Sequence, residues 1–113
     1  SYIVTQMCFD NKFYFDYLDT CRKSGINVPI IPGLKILTSK NHVTSLPKNF
    51  FIDVPSELAE EVSKAKPEHV LEIGIEWTYR QVEELLNKNV PAIHFYIMQN
   101  SEPIKKLMKK VGM

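Results

Sequence analysis

Three clusters of polar side chains stand directly behind apolar runs, where a side chain can be held rigidly yet meet a ligand. The first is Thr5-Gln6, behind Tyr2-Ile3-Val4. The second runs from Gly33 through Lys35 and Lys40 to His42, behind Val28-Pro29-Ile30-Ile31-Pro32. The third is Met98-Gln99-Asn100, at the end of the run that begins at Ala92. Carboxamides dominate the set: Gln6, Gln99 and Asn100. An amide offers donors and an acceptor together, which suits a flat heterocycle carrying both kinds of group. Amides are poor nucleophiles and poor general bases, so these clusters read as binding machinery and not as a proton-transfer centre. His42 reads either as an exposed loop residue or as a ligand contact. His94, inside an apolar run, reads as structural.

The elements that must position these groups follow from periodicity. Apolar runs at residues 1–6, 28–31 and 92–98 are short, rich in β-branched and aromatic residues, and bounded by turn signals. Helical patterns lie between them. Residues 11–24 carry Tyr14, Leu18 and Cys21 on one stripe, with Asp10 as N-cap and Gly25 as terminator. Pro32-Gly33 is expected to break the second strand. The less regular stretch 34–53 is expected to act as a lid, with a short helix near 40–45 interrupted at Pro47. A helix over 55–65 and a long one over 68–89 follow. The stripe of the long one is Leu71, Ile75, Thr78, Val82, Leu85 and Leu86, and Gly74 marks a close approach. A last helix covers 104–110. Strands alternating with helices predict an α/β fold with a parallel three-stranded sheet. The three clusters then share one rim, beyond the carboxyl ends of the strands.

Composition removes several classes of function. The chain has 113 residues and a net charge of +1, which gives no field to attract nucleic acid or an anionic membrane. No apolar run approaches the ~18 residues of a membrane span, and no signal peptide is visible. Cys8 and Cys21 form no CxxC and have no His pair nearby, so no metal site is expected and a reducing, cytoplasmic setting fits. There is no GxGxxG, no P-loop and no GxSxG elbow.

Five segments in order resemble the last part of methylenetetrahydrofolate reductase: Val4-Thr5-Gln6, the helix ending at Gly25, Ile30-Ile31-Pro32-Gly33, Gly74-Ile75-Glu76 and His94-Phe95-Tyr96. The resemblance implies a partial (β/α)8 TIM barrel made of its last three β-α units, with residues 1–113 as one C-terminal fragment. A complete barrel takes about 250 residues. The family reaction passes a hydride from NAD(P)H through FMN to 5,10-methylenetetrahydrofolate, giving 5-methyltetrahydrofolate. By resemblance Gln6 touches the folate, Met98 lines the same cleft, and His42 stands where many relatives have glutamine. Gln99 and Asn100 stand where the family has Asn-Arg, so an arginine that would contact folate is missing, and Lys35 or Lys40 is the candidate to hold the anionic glutamate tail in its place.

The flavin-contacting residues and the general acid are expected upstream of Ser1. No catalytic, cofactor-binding or metal-binding residue is therefore assigned to this chain, which is expected to be inactive alone. Its partners would be folate, the missing N-terminal half of the barrel and a second copy through open sheet edges. The alternative is a free-standing α/β binding module without catalytic activity.

Overall fold

The computed structural model describes residues 1–50, 52–97 and 101–112. Its elements run β1 (Ile3–Cys8), α1 (Asn11–Lys23), β2 (Ile30–Leu34), α2 (His42–Phe50), α3 (Ser56–Lys64), a 3-10 turn (Pro67–His69), α4 (Val70–Asn87), β3 (His94–Phe95) and α5 (Glu102–Val111). The strands form one sheet in the order β1-β2-β3, and both pairings are parallel. This is the α/β arrangement expected from the alternation of patterns.

Local chemistry sets the boundaries. The Asp10 carboxylate accepts the Lys12 N–H at 2.9 Å and starts α1, as its position predicts. Gly25 follows α1 with φ +83°, a conformation that side chains resist. Gly112 does the same after α5.

Three expectations about the strands need correction. β1 continues two residues beyond Gln6, to Cys8, and carries an irregularity between Val4 and Met7. Pro32-Gly33 does not break β2 but lies inside it. The Gly33 N–H is satisfied by the Thr5 hydroxyl at 2.9 Å, a side chain standing in for a ladder carbonyl. Pro32 acts on the other side of the strand. Alternate residues of a strand address opposite neighbours, and Leu34 accepts the Tyr96 N–H at 2.8 Å on the β3 side. The donor missing at Pro32 therefore lies on that side too. Pairing with β3 accordingly begins only at Gly33↔His94 and Leu34↔Phe95. This is why β3 begins at His94, two residues later than the start of the predicted run over 92–98.

Helix α2 also departs from expectation. It runs through Pro47 to Phe50 instead of stopping there. One backbone hydrogen bond is forgone at Pro47, and the neighbouring Leu46, buried in the core, holds the turn in place. On α4, Leu86 is 43% exposed although the stripe predicts it inside, whereas Gln81 is buried.

The core has two parts. α1, α4 and α5 pack Tyr14, Cys21, Ile75, Val82, Leu85 and Leu107 against Ile30 and Leu34 of β2. The second part gathers Leu46, Ile52, Leu58, Val62 and Val70 around Met7 and Phe9 at the end of β1. Each fully buried side chain of this size is worth roughly 1.5–3 kcal/mol against exposure. Gly74 lets α4 approach the segment after β2 so closely that a Cβ there would lie 1.8 Å from the Leu37 carbonyl oxygen. The Trp77 indole N–H donates to the Phe9 carbonyl at 2.7 Å, which ties α4 to the end of β1. Among the described residues no helix is long and apolar enough to cross a membrane.

Candidate functional site

Parallel strands put all three carboxyl ends on one rim, and a cleft of about 430 Å³ opens there. Lys35 and Ile36, just past β2, form one side with Thr38 and His42. Phe95, Tyr96 and Ile97, at the end of β3, form another. Leu71 on α4 with Pro103 and Ile104 on α5 complete the lining. The cleft thus mixes apolar and polar lining, its polar side chains Lys35, Thr38 and His42 all coming from the segment after β2.

His42 is half-buried at the first turn of α2, not an exposed loop residue. Its Nδ1 accepts the Thr38 N–H at 3.1 Å, which leaves the proton on Nε2. Burial, and then the nearby Lys35 charge, hold its pKa below the ordinary histidine value, so at neutral pH it is an uncharged donor. Lys35 is 5% exposed. Burial lowers its pKa as well.

Tyr96 is the rigid wall. Its hydroxyl donates to the Thr5 carbonyl at 2.8 Å, and its ring lies edge-on to His94 at 4.6 Å. The ring fills the space over Gly33, where an added Cβ would meet Tyr96 Cε2 and the Thr5 oxygen at 2.6 Å each. Gly33 is therefore there to let the phenol cross β2. His94 is itself exposed, edge-on to that ring.

Gln6 is exposed at the irregular part of β1, where its Oε1 accepts the Met7 N–H at 3.0 Å. It lines a second, smaller cleft of about 280 Å³ with Phe9, Asp10, Phe13 and Asp53, and not the one lined by His42. Met98, Gln99 and Asn100 lie outside the described residues. The chain enters them from Ile97, on the wall of the larger cleft. Sequence reasoning missed Tyr96 as a wall and Lys35 as a buried group. It also missed the buried pair Asn11 and Gln81, bonded at 3.1 Å, which ties the start of α1 to α4. Among the described residues no group of three His, Cys, Asp or Glu can hold a metal ion.

A cleft at the carboxyl ends of parallel strands, backed by a long helix, stands where α/β domains place their ligands. The profile of methylenetetrahydrofolate reductase matches residues 1–112, and the chain belongs to that family. Methylenetetrahydrofolate reductase 1 of Schizosaccharomyces pombe is 26% identical over 114 residues, covering 99% of this chain and 19% of its own length. The probable NADPH-type reductase of Caenorhabditis elegans is 25% identical over 116 residues, covering 100% of this chain and 18% of its own length. The 5,10-methylenetetrahydrofolate reductase of Buchnera aphidicola subsp. Schizaphis graminum is 30% identical over 119 residues, covering 97% and 38%. The chain thus spans about a fifth of the first two and 38% of the third. A solved structure shares the fold with a TM-score of 0.54 at 17% identity, covering 97% of this chain and 41% of its own. It is described as an uncharacterized protein from Clostridium thermocellum that binds two copies of 5-methyl-5,6,7,8-tetrahydrofolic acid.

Proposed function

We propose that this chain supplies the folate-side wall of a methylenetetrahydrofolate reductase, as the last three β-α units of a (β/α)8 barrel. The observation that carries the reading is the cleft at the strand ends, in a chain that belongs to this family along nearly its whole length. The aromatic side chains of Phe95 and Tyr96 and the polar groups of Lys35, Thr38 and His42 give a pterin ring both stacking surface and hydrogen-bonding partners. The folate-binding neighbour of like fold adds support. In this reading His42, Met98, Gln99 and Asn100 contact the substrate at the larger cleft, and Gln6 contacts the part of it that extends to the neighbouring one. The parent reaction reduces 5,10-methylenetetrahydrofolate to 5-methyltetrahydrofolate with NAD(P)H through FMN.

The residues described do not fit the flavin. An FMN phosphate needs backbone amides at a place open to close approach, commonly a glycine. Of the four glycines, Gly33 is covered by Tyr96 and Thr5 and Gly74 by Leu37, while Gly25 and Gly112 follow helix C-termini. In this reading FMN and the nicotinamide are held by residues outside this chain. What this chain does is bind and orient the folate, and shield one side of it from water. Both cysteines are free and buried, which fits a cytoplasmic location.

Calorimetric titration of the chain with 5-methyltetrahydrofolate tests the reading. Binding is expected, weakened about fivefold or more by Gln6→Ala and by His42→Ala through a lost hydrogen bond each. The chain mixed with FMN, NAD(P)H and methylenetetrahydrofolate is expected to show no turnover. Turnover would overturn the assignment as a fragment; absence of folate binding would favour an interaction module. Light scattering would show whether the open edges at β1 and β3 pair two copies.

A further inference from the structure

Lys35 differs from the paired lysines of the chain. Lys12, Lys23, Lys64, Lys105 and Lys110 each meet a carboxylate at the surface. Lys40 lies at the surface near the Ser63 carbonyl, at 3.4 Å. Lys35 is 5% exposed, and among the described residues it makes no ion pair and no hydrogen bond. Its side chain lines the larger cleft, between Ile36 and the Phe95-Tyr96 wall. The stem is covered, but the ammonium is not among the fully buried polar atoms that lack a partner, so it opens to the water of the cleft, where the counter-charge of a ligand can reach it. The adjoining His42 supplies no counter-charge, because it is an uncharged Nε2–H donor.

We propose that Lys35 is an anion-binding residue whose ammonium receives a carboxylate of the bound ligand, with His42 donating alongside. The assignment of that carboxylate to folate rests on the folate reading above; the anion site itself rests on the geometry. The ligand class is then a flat, largely apolar molecule with an acidic end, seated against Phe95 and Tyr96. The lysine sits one residue beyond β2, so its backbone is fixed by the sheet while the ammonium reaches the slot. Lowering of its pKa by burial agrees with a charge held short of its full solvation.

The test uses the chain, Lys35→Met and Lys35→Arg, with three probes: 5-methyltetrahydrofolate, a tetrahydropterin lacking the benzoyl-glutamate tail, and benzoate. Methionine keeps the apolar stem and removes the charge, so the variant is expected to fold; far-UV circular dichroism verifies it. Lys35→Met is expected to weaken 5-methyltetrahydrofolate by roughly tenfold or more, with the tail-less pterin changed by less than about twofold. Lys35→Arg, which keeps the charge, is expected to recover most of the loss. Unchanged folate affinity in Lys35→Met overturns the anion site and leaves the folate reading standing. Equal loss of both pterin ligands overturns the carboxylate contact. If the unaltered chain binds benzoate through Lys35 but not 5-methyltetrahydrofolate, the folate reading fails and the anion site stands. If it binds none of the three, the anion site fails too.

Discussion

Gly74→Ala is the sharpest test of how the cleft is held. The added Cβ would sit 1.8 Å from the Leu37 carbonyl oxygen, 2.9 Å from its carbon and 3.2 Å from its nitrogen. A carbon and a carbonyl oxygen rest at roughly 3.3 Å or more, so helix and segment must separate by about 1.5 Å. All three opposing atoms are backbone, so no rotamer change relieves the contact. Overpacking of this kind costs about 3 kcal/mol or more, and the better helix propensity of alanine returns about 1 kcal/mol. The expected net loss is about 2 kcal/mol or more, or about 8 °C in Tm. Thermal unfolding followed by circular dichroism measures it. Truncating the side chain in Gly74→Ala/Leu37→Ala should bring no rescue, because the obstacle is the main chain. Gly25→Ala is the control: nothing lies within 4 Å of its added Cβ, so only the positive φ opposes it, costing about 1–2 kcal/mol. A Gly74→Ala protein as stable as the parent would refute the close approach of α4 to Leu37. Because Thr38 follows directly on Leu37 and its N–H is held by His42, the same variant should weaken ligand binding in the cleft.

Other outcomes follow from single groups. Tyr96→Phe removes the 2.8 Å bond to the Thr5 carbonyl and should cost about 1 kcal/mol, read as a Tm lower by about 4 °C. The lowered pKa of Lys35 means the folded chain binds fewer protons than the unfolded chain between that pKa and 10.5. Stability should therefore rise with pH through that window. Lys35→Met should be the more stable protein at pH 7, with the advantage fading towards the top of the window, as urea titrations across pH would show. His42 acts the same way lower down: stability should fall as pH drops through 6.5 and level off below its folded value, and His42→Gln should remove that step. Burial first, and then the Asp10 charge, push the Cys8 thiol up to about 11. At pH 8 a thiol reagent should label it only as fast as the protein opens; labelling at the rate of a free peptide would contradict the packing.

Much of the architecture was legible because it rests on local chemistry. Asp10 as a cap, Gly25 as a terminator and apolar runs between amphipathic helices are patterns that neighbours in sequence decide. What was not legible depends on partners far along the chain. Nothing near Gly33 reveals that the Thr5 hydroxyl will take its N–H, so Pro-Gly reads as a strand breaker and is not one. Nothing near Lys35 reveals that it will be covered, since a lysine after Pro-Gly-Leu looks like any loop lysine. Gly74 was recognisable as a site of close packing, but its partner Leu37 was not. Of the expected rim, His42 lines the larger cleft and Gln6 a neighbouring one, because β1 runs two residues further than its composition suggests.

The phenol of Tyr96 reaches past the middle strand and fastens to the carbonyl of Thr5, one residue before Gln6. It behaves as a crossbar between the outer strands, with a hinge pin at each end. Tyr96 is a wall of one cleft, and Gln6 borders the other. A guest that pushes the ring aside must therefore either drag the β1 kink with it or unfasten the bar, so neither pocket can be reshaped in mechanical isolation from its neighbour.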